Sequence, residues 1–217
     1  MKVYGARPSP FVRKVLIALE EKGISYDLEP PALELHPLGK MPSIRDGDTV
    51  VNDSSVIIAY LERTHPTPAL LPSAPHAFAQ ALFLEEYADS TMADSMGLIV
   101  LERVIKPMMM GQPTDQAKLE AMQAIARERW FGSPRSTTGR PIASVMDYLE
   151  SQLPSDRGTV LPEFSIADIA LGAHIGWLAA GGLEFDGDRW PKARRYFAAL
   201  EARPSFKATA APPPSPI

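Results

Sequence analysis

The chain has 217 residues, 45% of them apolar, with 22 Lys and Arg against 26 Asp and Glu and no cysteine. Its length suits one large domain or two small ones with packed cores. The formal net charge of −4 disfavours nucleic acid or an anionic membrane surface as the main partner. The absence of cysteine excludes disulfides, thiolate metal sites and a cysteine nucleophile or redox pair, so any sulfur chemistry has to use a ligand's sulfur.

Metal sites and membrane segments are also not expected. The four histidines show no metal-ligand spacing, so we predict no metal. No apolar run reaches the roughly 18 residues of a membrane span, and no apolar signal-peptide core opens the chain. We therefore expect a cytoplasmic protein with neither a membrane nor a nucleic acid as its partner.

The N-terminal third alternates between strand and helix patterns. A strand is predicted over residues 2–5, followed by a helix that begins at Ser9-Pro10, carries apolar residues at i, i+3, i+4 and i+7, and ends at Gly23. Residues 25–28 form a second strand candidate. Asp46-Gly47 within residues 43–52 predicts a β-hairpin, and a helix follows from residue 54 or 55 to about residue 63.

Proline then divides the chain. Residues 65–75, HPTPALLPSAP, can continue neither a helix nor a central strand and are typical of a linker. After them we predict only helices, over residues 78–106, 114–131, 141–153, 165–180 and 191–202. The predicted domains are residues 1–73 and 77–209, and the Pro-rich tail, residues 210–217, is predicted to be disordered.

Ser9 is the first candidate for chemistry. A serine N-cap followed by Pro10 is a good helix start, and this structural role alone explains the pair. The functional alternative is that a hydroxyl at the positive end of a helix donates to an anion and lowers the pKa of a ligand thiol. The residues alone leave both roles open.

Two further pairs allow similar alternatives. Pro42 stands at the start of the third strand, where proline is tolerated; a cis bond after Met41 would turn the backbone of Met41 outward, towards a peptide-like ligand. Asp53 and Ser54 are an ordinary N-cap pair, or a site for an amino acid head group. In the second case the helix N-terminus takes the ligand carboxylate and the carboxylate of Asp53 takes the ammonium group.

Four segments carry a family resemblance. SPFVRKVLIALEEKG, HPLGKMPSI and NDSSVIIAYLE, in this order, resemble the N-terminal half of cytosolic glutathione transferases. FSIADIALGAHIGWL resembles the helix of their all-α half that carries an N-capping box. The resemblance implies the glutathione transferase fold, an α/β thioredoxin-like N-terminal domain joined to an all-α C-terminal helical domain.

The same resemblance implies roles for the candidate residues. Ser9 matches the serine that activates the thiol of glutathione in serine-type members. Pro42 matches the family's cis-proline, with the backbone of Met41 pairing with the cysteinyl unit. Asp53 and Ser54 match the pair that holds the γ-glutamyl head. Each of these roles comes from position in the family motif.

Lys40 matches a lysine that some members direct at the glycine carboxylate; the alternative is an ordinary solvated lysine. The chain departs from the family pattern in two places. Residues 29–39 are shorter than the usual segment with its own helix, and residues 131–142, FGSPRSTTGRPI, interrupt what is usually one long helix.

The function that the resemblance implies is glutathione transfer in detoxification. Glutathione would be a co-substrate, with no cofactor, and its thiolate would attack a small hydrophobic electrophile; a homodimer is expected. The alternative is a non-catalytic ligand-binding or regulatory protein of the same fold, and peroxide reduction by glutathione also stays open. Tyr4 is the rival of Ser9 as thiol activator, but strand alternation would place Tyr4 on a buried sheet face.

Overall fold

The structure, a computed structural model, describes residues 1–210, including all side chains except those of Ser95, Met108 and Met109. Apart from Ala210, the predicted Pro-rich tail at residues 210–217 lies outside the described residues. A four-stranded mixed sheet with its helices forms the N-terminal part, and helices form the rest. The predicted combination of a thioredoxin-like α/β half and an all-α half is confirmed.

The sheet is built from four short strands, β1 (Lys2–Tyr4), β2 (Asp27–Glu29), β3 (Ser43–Asp46) and β4 (Thr49–Asn52). Their order is β2-β1-β3-β4, with β1 parallel to β2 and the other pairs antiparallel. The predicted hairpin is present, but its turn lies one residue further on. Asp46 pairs with Thr49, so Gly47 and Asp48 form the turn, and the positive φ of Gly47, 56°, suits a tight hairpin.

Two helices pack on the sheet, α1 (Pro10–Glu21) and α2 (Ser54–Thr64). The apolar face of α1 is fully buried, as its periodicity predicts. Between β2 and β3 the chain forms only a single 3₁₀ turn, Leu33–Leu35. The shortened segment therefore lacks an α-helix, which leaves residues 36–42 free to lie along the edge of a cavity described below.

The second half contains eight α-helices among the described residues: α3 (Pro75–Glu86), α4 (Ala93–Val100), α5 (Lys106–Met109), α6 (Gln116–Phe131), α7 (Val145–Gln152), α8 (Ile166–Ala180), α9 (Pro191–Glu201) and α10 (Pro204–Ala208).

The prediction of one regular helix over residues 78–106 is wrong. Two π-helical stretches, Tyr87–Met92 and Leu101–Ile105, interrupt the segment, and such wide turns frequently mark functional sites. The interruption expected at residues 131–142 is confirmed, because α6 ends at Phe131 and α7 begins at Val145.

Helix α8 is the central helix of the molecule. It is buried along most of its length and packs on both α1 and α3. The carboxylate of Asp168, fully buried, accepts hydrogen bonds from the Ser165 N–H (3.0 Å), the Val160 N–H (2.8 Å) and the Tyr196 hydroxyl (2.8 Å). This carboxylate therefore satisfies one backbone donor at the start of α8 and one in the loop before it, both of which would otherwise be buried without partners.

A buried ionic cluster joins the two halves. The Lys14 ammonium of α1 pairs with the carboxylates of Glu85 and Asp89 from the helical half. Lys14 also donates to the Ser55 hydroxyl of α2 at 3.1 Å, and Ser55 in turn donates to Glu85. The imidazole Nε2 of His174, on α8, lies 3.6 Å from a carboxylate oxygen of Asp89. The ion pairs and hydrogen bonds of the cluster thus hold α1 and α2 against α3 and the residues that follow it.

Candidate active site

The largest concentration of candidate residues lies in one cavity of about 460 Å³ between the two halves. All six residues singled out in the sequence line it: Ser9, Lys40, Met41, Pro42, Asp53 and Ser54. They come from three separate segments of the N-terminal half. The fold therefore brings together residues up to 45 positions apart, and this convergence is what the sequence motifs led us to expect.

Ser9 stands at the N-terminus of α1, as predicted. Its hydroxyl accepts the Val12 N–H over 3.5 Å, a long bond, and its carbonyl accepts the Arg13 N–H at 2.9 Å. The residue is half-buried and its hydroxyl proton is engaged by no other described residue. A hydroxyl in this place can donate to an anion in the cavity while the helix dipole acts in the same direction.

The peptide bond between Met41 and Pro42 is cis. Pro42 is buried and Met41 half-buried at the cavity wall. Within residues 1–210 the backbone of Met41 forms no hydrogen bond, although β3 begins only two residues later. Its N–H and C=O are thus free to pair with an extended ligand, in the way an added strand would.

Asp53 has an unusual backbone conformation, with φ 72° and ψ 134°. A non-glycine residue in this region costs of order 1–3 kcal/mol, and such strain occurs mainly at ligand sites. One carboxylate oxygen, Oδ1, caps α2 by accepting the N–H groups of Ser55 (3.0 Å) and Val56 (3.2 Å). Oδ2 has no partner in the described chain, and the side chain is exposed. Oδ1 therefore caps the helix, and Oδ2 is free to accept a hydrogen bond from a ligand cation.

Ser54 complements this carboxylate. The residue is only 2% exposed, and its hydroxyl has no hydrogen-bond partner among the described residues. It is the first residue of α2, so its N–H is one of the donors that the helix itself cannot use. Asp53 caps the N–H groups of the two residues after Ser54, so the N–H and hydroxyl of Ser54 stay free. Together they form a compact site for a ligand carboxylate, next to the side-chain carboxylate of Asp53.

Positive charge lies in another part of the cavity. Lys40 is exposed and forms no ion pair within the described residues. His36, which the sequence reasoning passed over, lines the same wall. Its Nδ1 accepts the Leu38 N–H at 3.0 Å, which places the proton of the neutral ring on Nε2. His36 and Lys40 thus offer two donors to an anionic group. Only the turn at residues 36–39 brings His36 close, and its spacing from Lys40 carries no recognisable signal.

The remaining wall is apolar and comes mainly from the helical half. Phe11 of α1 and Trp177 of α8 face Val100, Val104 and Ile105. Val104 and Ile105 lie in the second π-helical stretch. The sequence reasoning did not identify these side chains, because apolar residues on helices serve a core and a pocket with the same pattern.

Tyr4, the rival of Ser9, does not line the cavity. It pairs with Glu29 and Ser43 within the sheet. The expectation that it lies on the buried face is wrong: Val3 is the residue that is fully buried, and Tyr4 is half-buried. The side chains of Val3 and Tyr4 point to opposite faces of the sheet, and the helices cover the face of Val3.

Other site types find no support in residues 1–210. No group of three or more His, Asp or Glu side chains is arranged to hold a metal ion in this part of the chain. Among the helices described, none combines the length and apolar character needed to cross a membrane.

Comparisons with known proteins place the fold and the cavity in context. Residues 3–69 match the model of the glutathione S-transferase N-terminal domain, and residues 126–199 match that of its C-terminal domain. The chain is 27% identical to Glutathione S-transferase 3 of Zea mays, covering 99% of this chain and 97% of the maize protein. It is 26% identical to a glutathione S-transferase of Hyoscyamus muticus, covering 95% of each.

Solved structures agree in fold. A glutathione S-transferase from Rhodospirillum rubrum superposes with a TM-score of 0.80 at 22% identity, covering 100% of this chain and 94% of that one. A glutathione S-transferase from Methylobacillus flagellatus, solved with GSH bound, is 27% identical with a TM-score of 0.72, covering 96% of this chain and 98% of that one. Both domain models together match more than half of the chain. The chain therefore belongs to the glutathione S-transferase family of enzymes.

Proposed function

We propose that this protein uses Ser9 to activate the thiol of bound glutathione and directs the thiolate at a small apolar electrophile. One observation carries the proposal: the cavity joins a polar wall, with groups free to bind a peptide, to an apolar wall from the helical half. The similar structure from Methylobacillus flagellatus was solved with GSH bound, which supports glutathione as the peptide.

The polar wall suits the three units of glutathione. Asp53 Oδ2 would accept from the γ-glutamyl ammonium, and the hydroxyl and N–H of Ser54 would take the adjoining carboxylate. The free backbone of Met41 would pair with the cysteinyl unit. Lys40 would meet the glycine carboxylate. Each charge on the wall is thus opposite in sign to the ligand group that it would meet.

The cysteinyl sulfur would then lie near the hydroxyl of Ser9. The hydroxyl donates a hydrogen bond to the thiolate, and the N-terminus of α1 favours the negative charge, so both lower the thiol pKa and the thiol proton is released to water. The thiolate attacks the electrophilic carbon and a C–S bond forms. In a substitution the leaving group departs with its electron pair; in an addition the adjoining carbon takes the electrons and then a proton. The apolar wall positions the electrophile and excludes water.

The proposal extends to the setting of the reaction. Glutathione keeps cytosolic thiols reduced, so we assign the activity to the cytoplasm, as a detoxification reaction. We also propose a homodimer. Helix α3 exposes three large apolar side chains, Phe78, Leu82 and Phe83, the last with 56% of its surface. A second copy related by a twofold axis would cover them.

Calorimetry with glutathione, followed by turnover of chlorodinitrobenzene, tests the proposal. We expect glutathione to bind and the conjugate to form. Binding without turnover of any of a panel of aryl, alkyl and unsaturated electrophiles would favour the non-catalytic alternative. No binding at millimolar glutathione would overturn the proposal as a whole.

A further inference from the structure

Local contacts hold the segment that carries Ser9 only loosely. Residues 5–9 connect β1 to α1. Within residues 6–9 a single bond, from the Ser9 N–H to the Ala6 carbonyl at 2.9 Å, closes the turn. The cap bond from Val12 to the Ser9 hydroxyl is long, at 3.5 Å. Something beyond the segment has to fix the position of the hydroxyl.

Two contacts from the other half of the molecule reach this segment: the Arg7 guanidinium donates to the carbonyl of Ala208 at 3.0 Å, and Trp177 holds the residue next to Ser9. Its indole N–H donates to the carbonyl of Pro8, the residue before Ser9, over 2.7 Å and across 169 positions of sequence. This is a short, well-formed bond. Because Pro8 has no N–H of its own, its carbonyl is the only backbone group through which it can be held by hydrogen bonding.

Helix α8 also holds the chain on the other side of Ser9. The ring of Phe11 meets the Trp177 indole edge-on, with centroids 6.3 Å apart, and the His174 imidazole at 5.1 Å. The guanidinium of Arg13 also lies against α8, 3.2 Å from where a Cβ of Gly176 would stand. One face of α8 thus fixes the residues before and after Ser9.

We propose that Trp177 is a positioning residue for thiol activation: through Pro8 it sets where the Ser9 hydroxyl stands relative to the bound sulfur. This inference rests on the proposed role of Ser9. Through the hydrogen bond from Trp177 to Pro8, the helical half takes part in activating the thiol. It also supplies most of the apolar wall against which the electrophile would bind.

The test uses Trp177→Phe, which keeps an aromatic ring against Phe11 and removes the N–H. The pKa of bound glutathione is measured from thiolate absorbance in the absence of electrophile, so packing of the second substrate has no influence. We expect this pKa to rise and kcat to fall about 3- to 10-fold near neutral pH, the range that one neutral hydrogen bond supplies. Turnover should return towards the wild-type value at high pH, where the thiol ionises unaided, and glutathione affinity should hold within about threefold.

Trp190→Phe is the matched control. The Trp190 indole also donates one bond, of 2.8 Å to Asp147, but it lies in the helical half away from the cavity. We expect this variant to leave the thiol pKa unchanged. Circular dichroism and glutathione calorimetry on both variants show that each is folded.

A double mutant separates the inference from the proposal on which it rests. If Trp177 acts through Ser9, Trp177→Phe moves the thiol pKa in the wild type but not in Ser9→Ala. Should Ser9→Ala raise the pKa and Trp177→Phe leave it unchanged, the positioning role is wrong and the role of Ser9 stands. Additive shifts in the double mutant would also overturn it. No shift in Ser9→Ala itself would reject the activation by Ser9.

Discussion

The carboxylate oxygen Oδ1 of Asp89 lies 3.6 Å from the imidazole Nε2 of His174, and neither atom has a hydrogen-bond partner among the described residues. His174 Nδ1 lies 2.9 Å from the carbonyl of Ala170 and donates to it, so Nε2 of the neutral ring is a bare acceptor. Two acceptors therefore face each other within the buried cluster that joins the halves. If Oδ1 of Asp89 carried a proton, it would donate a hydrogen bond to Nε2 of His174, and both atoms would then have a partner.

Burial raises the pKa of the Asp89 carboxyl to about 6, although the ammonium of Lys14 opposes the shift. Burial also lowers the pKa of His174 to about 3. The groups that face Asp89 are Lys14 from α1, Ser55 from α2, Glu85 from α3 and His174 from α8. The proton added on mild acidification therefore belongs to Asp89, while the imidazole stays neutral.

We predict a pH-dependent free energy of unfolding that Asp89→Asn removes. The folded state holds a proton on Asp89 more tightly than the unfolded chain, so the contribution of Asp89 is complete below the ordinary pKa of 3.8 and is lost as the pH rises to about 6. The loss is about 2 to 3 kcal/mol. Urea unfolding from pH 4 to 7 measures the difference between wild type and variant.

His174 contributes in the opposite direction. Its stabilising contribution is present above pH 6.5 and falls as the pH approaches 3, so the difference between wild type and variant is compared rather than the wild-type curve alone. Asp94→Asn serves as control, because that carboxylate is exposed and unpaired among the described residues. A flat difference between wild type and Asp89→Asn across this pH range would contradict the assignment.

Much of this architecture follows from local sequence signals. Ser9-Pro10 marked the start of α1, and the alternation around Asp46-Gly47 marked the hairpin. Local signals do not show where an α-helix widens into π-helical turns. The π-helical stretch that presents Val104 and Ile105 to the cavity is such a case: its sequence has an ordinary helical pattern, and tertiary packing decides the extra residue per turn.

The sequence singles out the polar residues that line the cavity and not the apolar ones. Ser9, Asp53 and Ser54 stand at helix starts, which capping preferences reveal in the sequence. Trp177 reaches Pro8 only because α8 crosses α1, and no local pattern contains that crossing. His36 likewise reaches the cavity through a turn without a repeated spacing.

The γ-glutamyl end of the proposed site can be tested with Asp53→Asn. Asparagine caps helices as well as aspartate does and tolerates positive φ, so α2 should keep its start. Only the charge offered to the ligand ammonium is lost. We expect glutathione to bind about 10- to 100-fold more weakly in calorimetry, the effect of one charge-assisted hydrogen bond. Unchanged affinity would show that Asp53 serves α2 alone. Asp48→Asn, in the exposed hairpin turn, is the control.

Asp168 should dominate the stability of the helical half. Replacing it with alanine leaves two backbone N–H groups and the Tyr196 hydroxyl buried without an acceptor. We expect the free energy of unfolding to fall by about 3 kcal/mol or more. Asp188→Ala removes an exposed ion pair with Arg194 and should cost less than about 1 kcal/mol. Equal losses in the two variants, measured by urea unfolding, would show that the buried bonds contribute little.

The proposed dimer face can be tested at Phe83, whose ring meets Tyr87 and Tyr148 at the exposed side of α3. Phe83→Glu places a charge in the proposed contact, and we expect sedimentation to show a monomer at micromolar concentration where the wild type is dimeric. Ile142→Glu changes an exposed apolar residue in the segment between α6 and α7 and should remain dimeric. A monomeric wild type would remove the basis for the dimer.

The choice between Ser9 and Tyr4 is decided by a pair of single-atom changes. Ser9→Ala removes the hydroxyl at the N-terminus of α1, so the pKa of the bound thiol should rise and conjugation should slow by about 10- to 1000-fold, which corresponds to roughly 1.4 to 4 kcal/mol of transition-state stabilisation. Tyr4→Phe should change neither quantity, because Tyr4 lies outside the cavity lining. Thiolate absorbance and turnover of chlorodinitrobenzene measure both effects. The assignment fails if Ser9→Ala keeps the wild-type absorbance and turnover while Tyr4→Phe loses them.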